Sequence, residues 1–320
     1  MRYIFRRIII YIIVLIVTLN LDFILPRLTP GNAARLLAGG SKFAPQAAQI
    51  MAQRFGLNQP LLVQYELFMK GVFSWPPDFG VSFVYFPDTV TYLFFSRVGW
   101  TLLLIGLSFA LAVVISYLMS AFASLRRAGK FDVGSIYSSV ALNAIPIFWV
   151  GLVLLWVFGV VLGWFPMYGN QPFETYTGLT YVFQILKYAT LPVVTLTLSQ
   201  LGQNYLLLRG ASQEVLKSDY VTAGKVRGLK SRVIAFSYIM RNSLLPFVSV
   251  SSFGFASLVS RIILVEYVFG YAGIGDLIVD AALSDDFPVL AGSLFFVTII
   301  VVIGGIIGDY LLTRLDPRIK

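Results

Sequence analysis

Six apolar stretches constrain this chain more than anything else in it. They run over roughly 8–28, 98–124, 134–164, 187–208, 242–265 and 289–312. Each supplies the ~20 predominantly apolar residues that a helix needs to cross a hydrocarbon core about 30 Å thick. Within lipid the backbone N–H and C=O groups must be paired inside the protein, so stretches of this length fold as helices. Composition agrees: 58% of residues are hydrophobic and 12% charged, against about 45–50% and 25% in soluble domains. The expected fold class is an all-α integral membrane protein with six transmembrane helices. The first stretch follows Arg2, Arg6 and Arg7 and continues to Leu25 with no small-residue cleavage site, so it is expected to stay as an anchor rather than leave as a signal peptide.

Six spans put both termini on one side, and the cations say which. Sixteen of the 24 Lys and Arg fall at the N-terminus, in the 125–133 loop, in the 209–241 loop and at the C-terminus. These four segments share one face, which the positive-inside rule makes cytoplasmic. The 209–241 loop holds seven of them, whereas the opposite segment before the last span carries Asp276, Asp280, Asp285 and Asp286. The net charge of +9 therefore follows topology and membrane lipids; it gives no reason to expect nucleic acid as a partner. A multi-pass protein of the cell membrane with cytoplasmic N- and C-termini is expected. Three parts follow: an N-terminal transmembrane helix (1–28), an extracytoplasmic cap (29–97), and a five-helix core (98–320) that carries the 209–241 loop. Thr29-Pro-Gly-Asn, Gly39-Gly40 and Trp75-Pro-Pro-Asp-Phe-Gly punctuate the cap around a helix near 45–73. Pro146 and Pro192 are expected to interrupt spans three and four. Membrane helices tolerate such breaks where neighbouring helices or a water-filled path satisfy the freed backbone groups.

Residue types missing from the chain exclude most chemistry. There is no Cys and no His, so there is no thiol nucleophile, no imidazole base and no usual metal-ligand set. No GxxxxGK[ST] occurs, so the chain has no P-loop of its own. Neither a catalytic residue nor a metal site is expected. Gly273-Ile-Gly-Asp276 matches the GxGD of intramembrane aspartyl proteases, with Asp309 as the second carboxylate. The topology assigns these two Asp residues to opposite faces, and an acid pair must be adjacent to share a proton.

The 209–241 loop is too elaborate for a simple connection. Ser212 can cap a helix that begins near Gln213 and has Glu214 in its first turn, favourably placed on the dipole. Val215, Leu216, Tyr220 and Val221 lie near one face of that helix, and Lys217 and Asp219 lie off it. Gly224 and Gly228 offer close approach or chain reversal. Such a helix suits docking on a partner; the residues alone leave a solvated or membrane-surface helix equally open.

Tyr220-Val-Thr-Ala-Gly-Lys-Val-Arg-Gly228-Leu followed by Arg241-Asn-Ser-Leu-Leu-Pro246 resembles the cytoplasmic motif of the membrane subunits of binding-protein-dependent ABC importers. Within them, the chain resembles the first permease of the dipeptide/oligopeptide group. Where that family usually has a second Ala, this chain has Gly224. The likeness extends over almost the whole chain. It includes Leu28-Thr-Pro-Gly-Asn, Phe55-Gly-Leu-Asn-Gln-Pro, Val63-Gln-Tyr65, Ile145-Pro-Ile-Phe and Gly163-Trp-Phe-Pro-Met-Tyr-Gly169. It continues through Val265-Glu-Tyr-Val-Phe-Gly-Tyr-Ala-Gly-Ile-Gly275, Asp285-Asp-Phe-Pro288 and Asp309-Tyr-Leu-Leu-Thr-Arg-Leu-Asp-Pro-Arg318.

The resemblance implies a type I importer permease fold and a transport role without an active site. It implies pairing with a second, homologous permease, with the pathway at their interface. Two cytoplasmic ATPase subunits, which bind the ATP and Mg, would dock on the loop helix at about Gln213 to Gly228. An extracytoplasmic binding protein would deliver the substrate. The coupling residues it implies are Glu214, Leu216, Asp219, Tyr220, Ala223, Gly224 and Gly228. Charges inside spans are costly and are functional candidates by default. Arg261 and Glu266 are accordingly the pathway candidates, and Arg261 departs from the small residue that relatives often have there. Asp22 and Arg27 suit structural anchoring. Peptide is the first expectation for substrate and oligosaccharide the second. A non-transporting membrane scaffold or sensor is the alternative of a different class, and it has no use for an ATPase-docking helix.

Overall fold

The computed structural model describes residues 2–28, 53, 56, 59–125, 129–172 and 174–315. Ten helices organise them: α1 Arg2–Leu28, α2 Leu61–Val72, α3 Val90–Leu125, α4 Lys130–Ala144, α5 Ile147–Leu154, α6 Gly178–Val215, α7 Asp219–Val226, α8 Arg241–Phe269, α9 Ile274–Leu283 and α10 Phe287–Leu315. A π-helical turn, Leu155–Val161, prolongs α5, and a second, Ile234–Met240, leads into α8 after a short helical stretch at Ser231–Val233. Four helices are long and apolar enough to cross a membrane, and there are up to six spans if two bent helix pairs each count as one. The turn formers at 29–32 and 39–40, and most of the N-terminal half of the expected 45–73 helix, lie outside the described residues. Its C-terminal half is α2.

The two interior prolines behave differently. Ile145 is extended, at φ −84° and ψ 127°, as steric pressure from a following Pro demands. The chain there turns by 100° between Lys130–Ala144 and Ile147–Val161, so span three is a broken pair. Pro192 does not interrupt span four, contrary to expectation. It lies inside the 38-residue α6, where the buried run Leu191, Val193, Thr195 and Leu196 holds the helix across the missing N–H. The Thr195 hydroxyl also donates to the Leu191 carbonyl at 2.8 Å.

The chain divides into two units, Met1–Thr101 with Ala272–Ile303, and Leu102–Tyr271 with Gly304–Lys320. In the first unit, aromatic rings join α2 and Phe79 to α1 and α10. Phe23 meets Tyr65 edge-on at 5.1 Å, Phe68 meets Phe79 at 6.2 Å, and Phe79 meets Phe295 at 5.3 Å. Polar contacts then fasten the 82–101 stretch. Asp286 accepts from the Ser82 hydroxyl at 2.5 Å and from the N–H groups of Phe83 and Val84 at 3.0 and 3.1 Å. Burial pushes its carboxyl above the ordinary carboxylate range, opposed by those same hydrogen bonds. Tyr85 Oη donates to Asp280 at 2.5 Å, and Arg97 lies 3.4 Å from Asp276 and 5.4 Å from the centre of the Tyr85 ring. Asp276 and Asp280 stand on α9, not in a loop. The acidic residues read from the sequence for topology therefore hold the 82–97 segment in place.

In the second unit, α4 packs on α6 at very short range. A Cβ at Gly202 would stand 2.5 Å from the Ser139 carbonyl oxygen and 2.8 Å from Asn143 Oδ1. Small residues give membrane helices this closeness. Two family-like motifs also meet. The Gly169 N–H donates to the Phe269 carbonyl at 3.3 Å, and the Tyr168 ring lies over Gly270, which has φ +52° and ends α8.

Candidate functional site

The helix of the 209–241 segment is shorter than expected and starts later. Ser212 does not cap it. That residue is buried inside α6, and its hydroxyl turns back to the Arg209 carbonyl at 2.8 Å, so α6 continues to Val215. Glu214 therefore sits in the last turn of α6, at the negative end of its dipole, and is exposed. Leu216 closes α6 through its N–H to the Ser212 carbonyl at 3.0 Å. The chain then straightens at Ser218, φ −75° and ψ 147°, and α7 begins at Asp219. Asp219 in the first turn and Lys225 in the last both suit the α7 dipole.

A glycine ends α7. Gly228 has φ +72°, its N–H bonds the Lys225 carbonyl at 3.0 Å, and the Leu229 N–H reaches the Gly224 carbonyl at 3.2 Å. This is a Schellman closure, in which a left-handed residue satisfies the helix's last carbonyls. No atom lies within 4 Å of where a Gly228 Cβ would stand, so the backbone conformation, not space, requires glycine there.

One face of α7 is covered by its own chain. Val221 is fully buried in a cluster with Ile234 and Ile239, against which Val215, Leu216, Leu229 and Tyr238 pack. Gly224 is buried beside Leu229 and Tyr238. The Tyr220 ring stacks on Tyr238 with centroids 6.5 Å apart. The other face is open: Asp219, Tyr220, Thr222, Ala223, Lys225, Val226 and Arg227 are all exposed, and Val226 is 83% exposed. The structure thus gathers Leu216 and Gly224 on the covered side, sets Tyr220 at the edge, exposed yet stacked on Tyr238, leaves Asp219 and Ala223 on the open side, and sets Glu214 apart on α6. Sequence reasoning missed the bed itself, the apolar run Ile234–Met240, although its position directly after the Gly228-Leu motif was the available signal.

The glycine geometry makes two opposed expectations. A Cβ on Gly224 would meet Leu229 at 3.5 Å and Tyr238 at 3.6 Å, which are ordinary contacts. Gly224→Ala should therefore stabilise α7 by about 1 kcal/mol through helix propensity. Gly228→Ala should cost about 1–2 kcal/mol for its left-handed backbone, with Gly228→Asn cheaper. Protease nicking rates in the 216–230 stretch of the purified protein would measure both. Equal effects at the two positions would show that conformation is not what distinguishes them.

The pathway candidates are not brought together. Glu266 is fully buried near the end of α8, and its carbonyl accepts from the Tyr271 N–H at 2.8 Å. Arg261 is half-buried and turns to α6, where Nη1 donates to the Ser199 carbonyl at 2.8 Å. Asp22 is buried in α1, while the Arg27 side chain lies outside the described residues. A pair that the sequence analysis did not single out is more prominent. Arg209 on α6 grips Asp132 on α4 with two bonds, Nε to Oδ1 at 2.5 Å and Nη2 to Oδ2 at 2.9 Å.

A family model described as "Binding-protein-dependent transport system inner membrane component" matches residues 116–320, and its N-terminal companion, "Binding-prot-dependent transport system membrane comp, N-term", matches 1–98. The chain belongs to this family. The permease is 31% identical over 318 residues to the oligopeptide transport system permease protein AppB of Bacillus subtilis (strain 168), with 99% of each chain covered. It is 29% identical over 336 residues to the dipeptide transport system permease protein DppB of Alkalihalophilus pseudofirmus, with 100% of this chain and 99% of that protein covered. It is therefore a multi-pass inner-membrane permease of an ABC importer, with an all-helical type I permease fold. The α7 segment and its Arg241-Asn-Ser-Leu-Leu-Pro246 sequel fall within the larger matched region.

Proposed function

We propose that this permease forms half of the translocation pathway of an ATP-driven peptide importer. The observation that carries the reading is α7, an eight-residue helix with one face buried on its own chain and the other open. It stands in a chain matched end to end by a permease named for oligopeptide transport. The partners are a second homologous permease, two cytoplasmic ATPase subunits that bind ATP and Mg, and an extracytoplasmic binding protein that delivers peptide. The open face of α7, with Asp219, Ala223 and Val226, seats in a groove of an ATPase subunit. Closure of the ATPases on ATP displaces α7, and the cluster of Val221, Ile234 and Ile239 transmits that displacement into α8. ATP hydrolysis, and the return of the pathway to its inward-open form, take place in the partners and at their contact with α7. The N- and C-termini and α7 lie in the cytoplasm of the cell, and the 29–97 segment lies outside.

The test is purification of the tagged permease with its neighbouring subunits in mild detergent, followed by ATPase assays with binding protein loaded with peptide or with oligosaccharide. Co-purifying ATPases stimulated by the peptide-loaded protein support the reading. Stimulation by oligosaccharide alone would move the substrate to sugars. Failure to recover ATPases even after cross-linking would remove the coupling role of α7.

A further inference from the structure

A guanidinium in the interior of a membrane helix needs an explanation, and the side chain of Arg261 has only a partial one. Arg261 lies eight residues before the end of α8 at Phe269, about 12 Å along the helix axis. Rather than extending toward the helix end, it turns sideways and gives one N–H to the Ser199 carbonyl of α6 at 2.8 Å. No Asp or Glu among the described residues pairs with it. A guanidinium has five N–H donors in a fixed fork, and a backbone carbonyl offers no countercharge. The side chain is thus oriented but not neutralised.

Its surroundings are polar for a span. One turn along α6 from Ser199 is Gln203, exposed, and one turn back along α8 from Arg261 is Ser257, also exposed. Ser260, beside Arg261, is exposed as well. The buried face of the same stretch is apolar, with Leu258, Val259, Ile262 and Val265. Polar and ionisable groups on the open side of a span face a water-filled cavity or another polar group rather than lipid. The Arg261–Ser199 bond joins the two helices beside this stripe, and the half-buried guanidinium keeps further N–H donors beyond that one bond.

On the reading that the permease carries peptides, we infer that Arg261 recognises the C-terminal carboxylate of the passing peptide, flanked by Gln203, Ser257 and Ser260 as neutral hydrogen-bonding groups. A planar fork matches a carboxylate with two parallel bonds. A peptide brings that carboxylate whatever its sequence, whereas a neutral oligosaccharide has none. Because the guanidinium is held by a neutral carbonyl, the carboxylate meets a cation that no internal acid has already claimed.

The experiment compares a peptide with its C-terminal amide in liposomes holding the assembled transporter, ATP and binding protein, after the affinity of the binding protein for each form has been measured separately. Wild type is expected to take up the free acid faster than the amide by about tenfold beyond any difference in that affinity, the scale of one charge-assisted hydrogen bond. Arg261→Gln should bring the ratio close to one, and Arg261→Lys should keep part of it. An unchanged ratio in Arg261→Gln overturns the inference. So does loss of the second permease from the purified Arg261→Gln complex while Arg261→Lys retains it, since the cation would then serve a carboxylate of that subunit. If wild type takes up neither peptide form but does take up another solute, the peptide reading itself fails, and the inference with it.

Discussion

Arg209→Ala will lower the stability of the detergent-solubilised permease by about 3–5 kcal/mol, the usual cost of stripping one partner from a buried ion pair. Asp132 is only 1% exposed, and both its oxygens are engaged by the guanidinium, at 2.5 and 2.9 Å. Without Arg209 that carboxylate stays between α4 and α6 without its countercharge. The side chain of Arg209 is itself 25% exposed, so water entering along it moves the expected loss toward the lower end of the range. Arg209→Lys should cost less than Ala but more than nothing, because an ammonium keeps the charge and loses the two-pronged geometry. Pairing Arg209→Ala with Asp132→Asn should recover much of the loss, because the buried charge goes with its partner. Thermal denaturation of the four variants, followed by the loss of the monodisperse chromatographic peak, completes the double-mutant cycle. A change below about 1 kcal/mol in Arg209→Ala, with no recovery in the double variant, would place this pair among the weak surface bridges.

Gly202→Ala will disrupt the same helix pair by a different route, with an expected cost of about 3 kcal/mol from overpacking. The added methyl would stand 2.5 Å from the Ser139 carbonyl oxygen. The obstacle is backbone, so no side-chain rotation relieves it, and α4 must move away from α6. Separation of the helices also lengthens the Arg209–Asp132 contact, so the two defects are coupled and will not add. Gly210→Ala is the control, since a Cβ there meets nothing within 4 Å; it should be neutral or mildly stabilising as a helix substitution. Equal thermal stability of the two alanine variants would show that α4 and α6 do not approach at Gly202.

The same helices show where sequence reading succeeds and where it stops. Pro146 announced its break, because a proline biases the preceding residue to extended backbone whatever surrounds it. Pro192 announced one equally and did not deliver it, because buried neighbours on α6 hold the helix through the defect. Ser212 had the chemistry of a helix cap, but a hydroxyl can as well bond back to the preceding turn, and α6 ran on past it. Gly224 and Gly228 were both read as offering close approach or chain reversal, and the structure gives the reversal to Gly228, at φ +72°. Whether Gly224 tolerates a methyl was not legible, because the answer lies in Tyr238, fourteen positions away.

Apolar length and the order of the family motifs were enough, without coordinates, to read an all-helical importer permease with a separate short helix in its 209–241 segment. Each of these depends on residue type and on neighbours close in sequence. Tertiary structure alone decided that α7 begins at Asp219, that Asp132 answers Arg209 across 77 residues, that Asp286 holds the 82–84 backbone, and that Arg261 meets a carbonyl rather than a carboxylate. Those pairings join residues far apart in the chain, and helix packing, which brings them together, is a property of whole faces rather than of any local pattern.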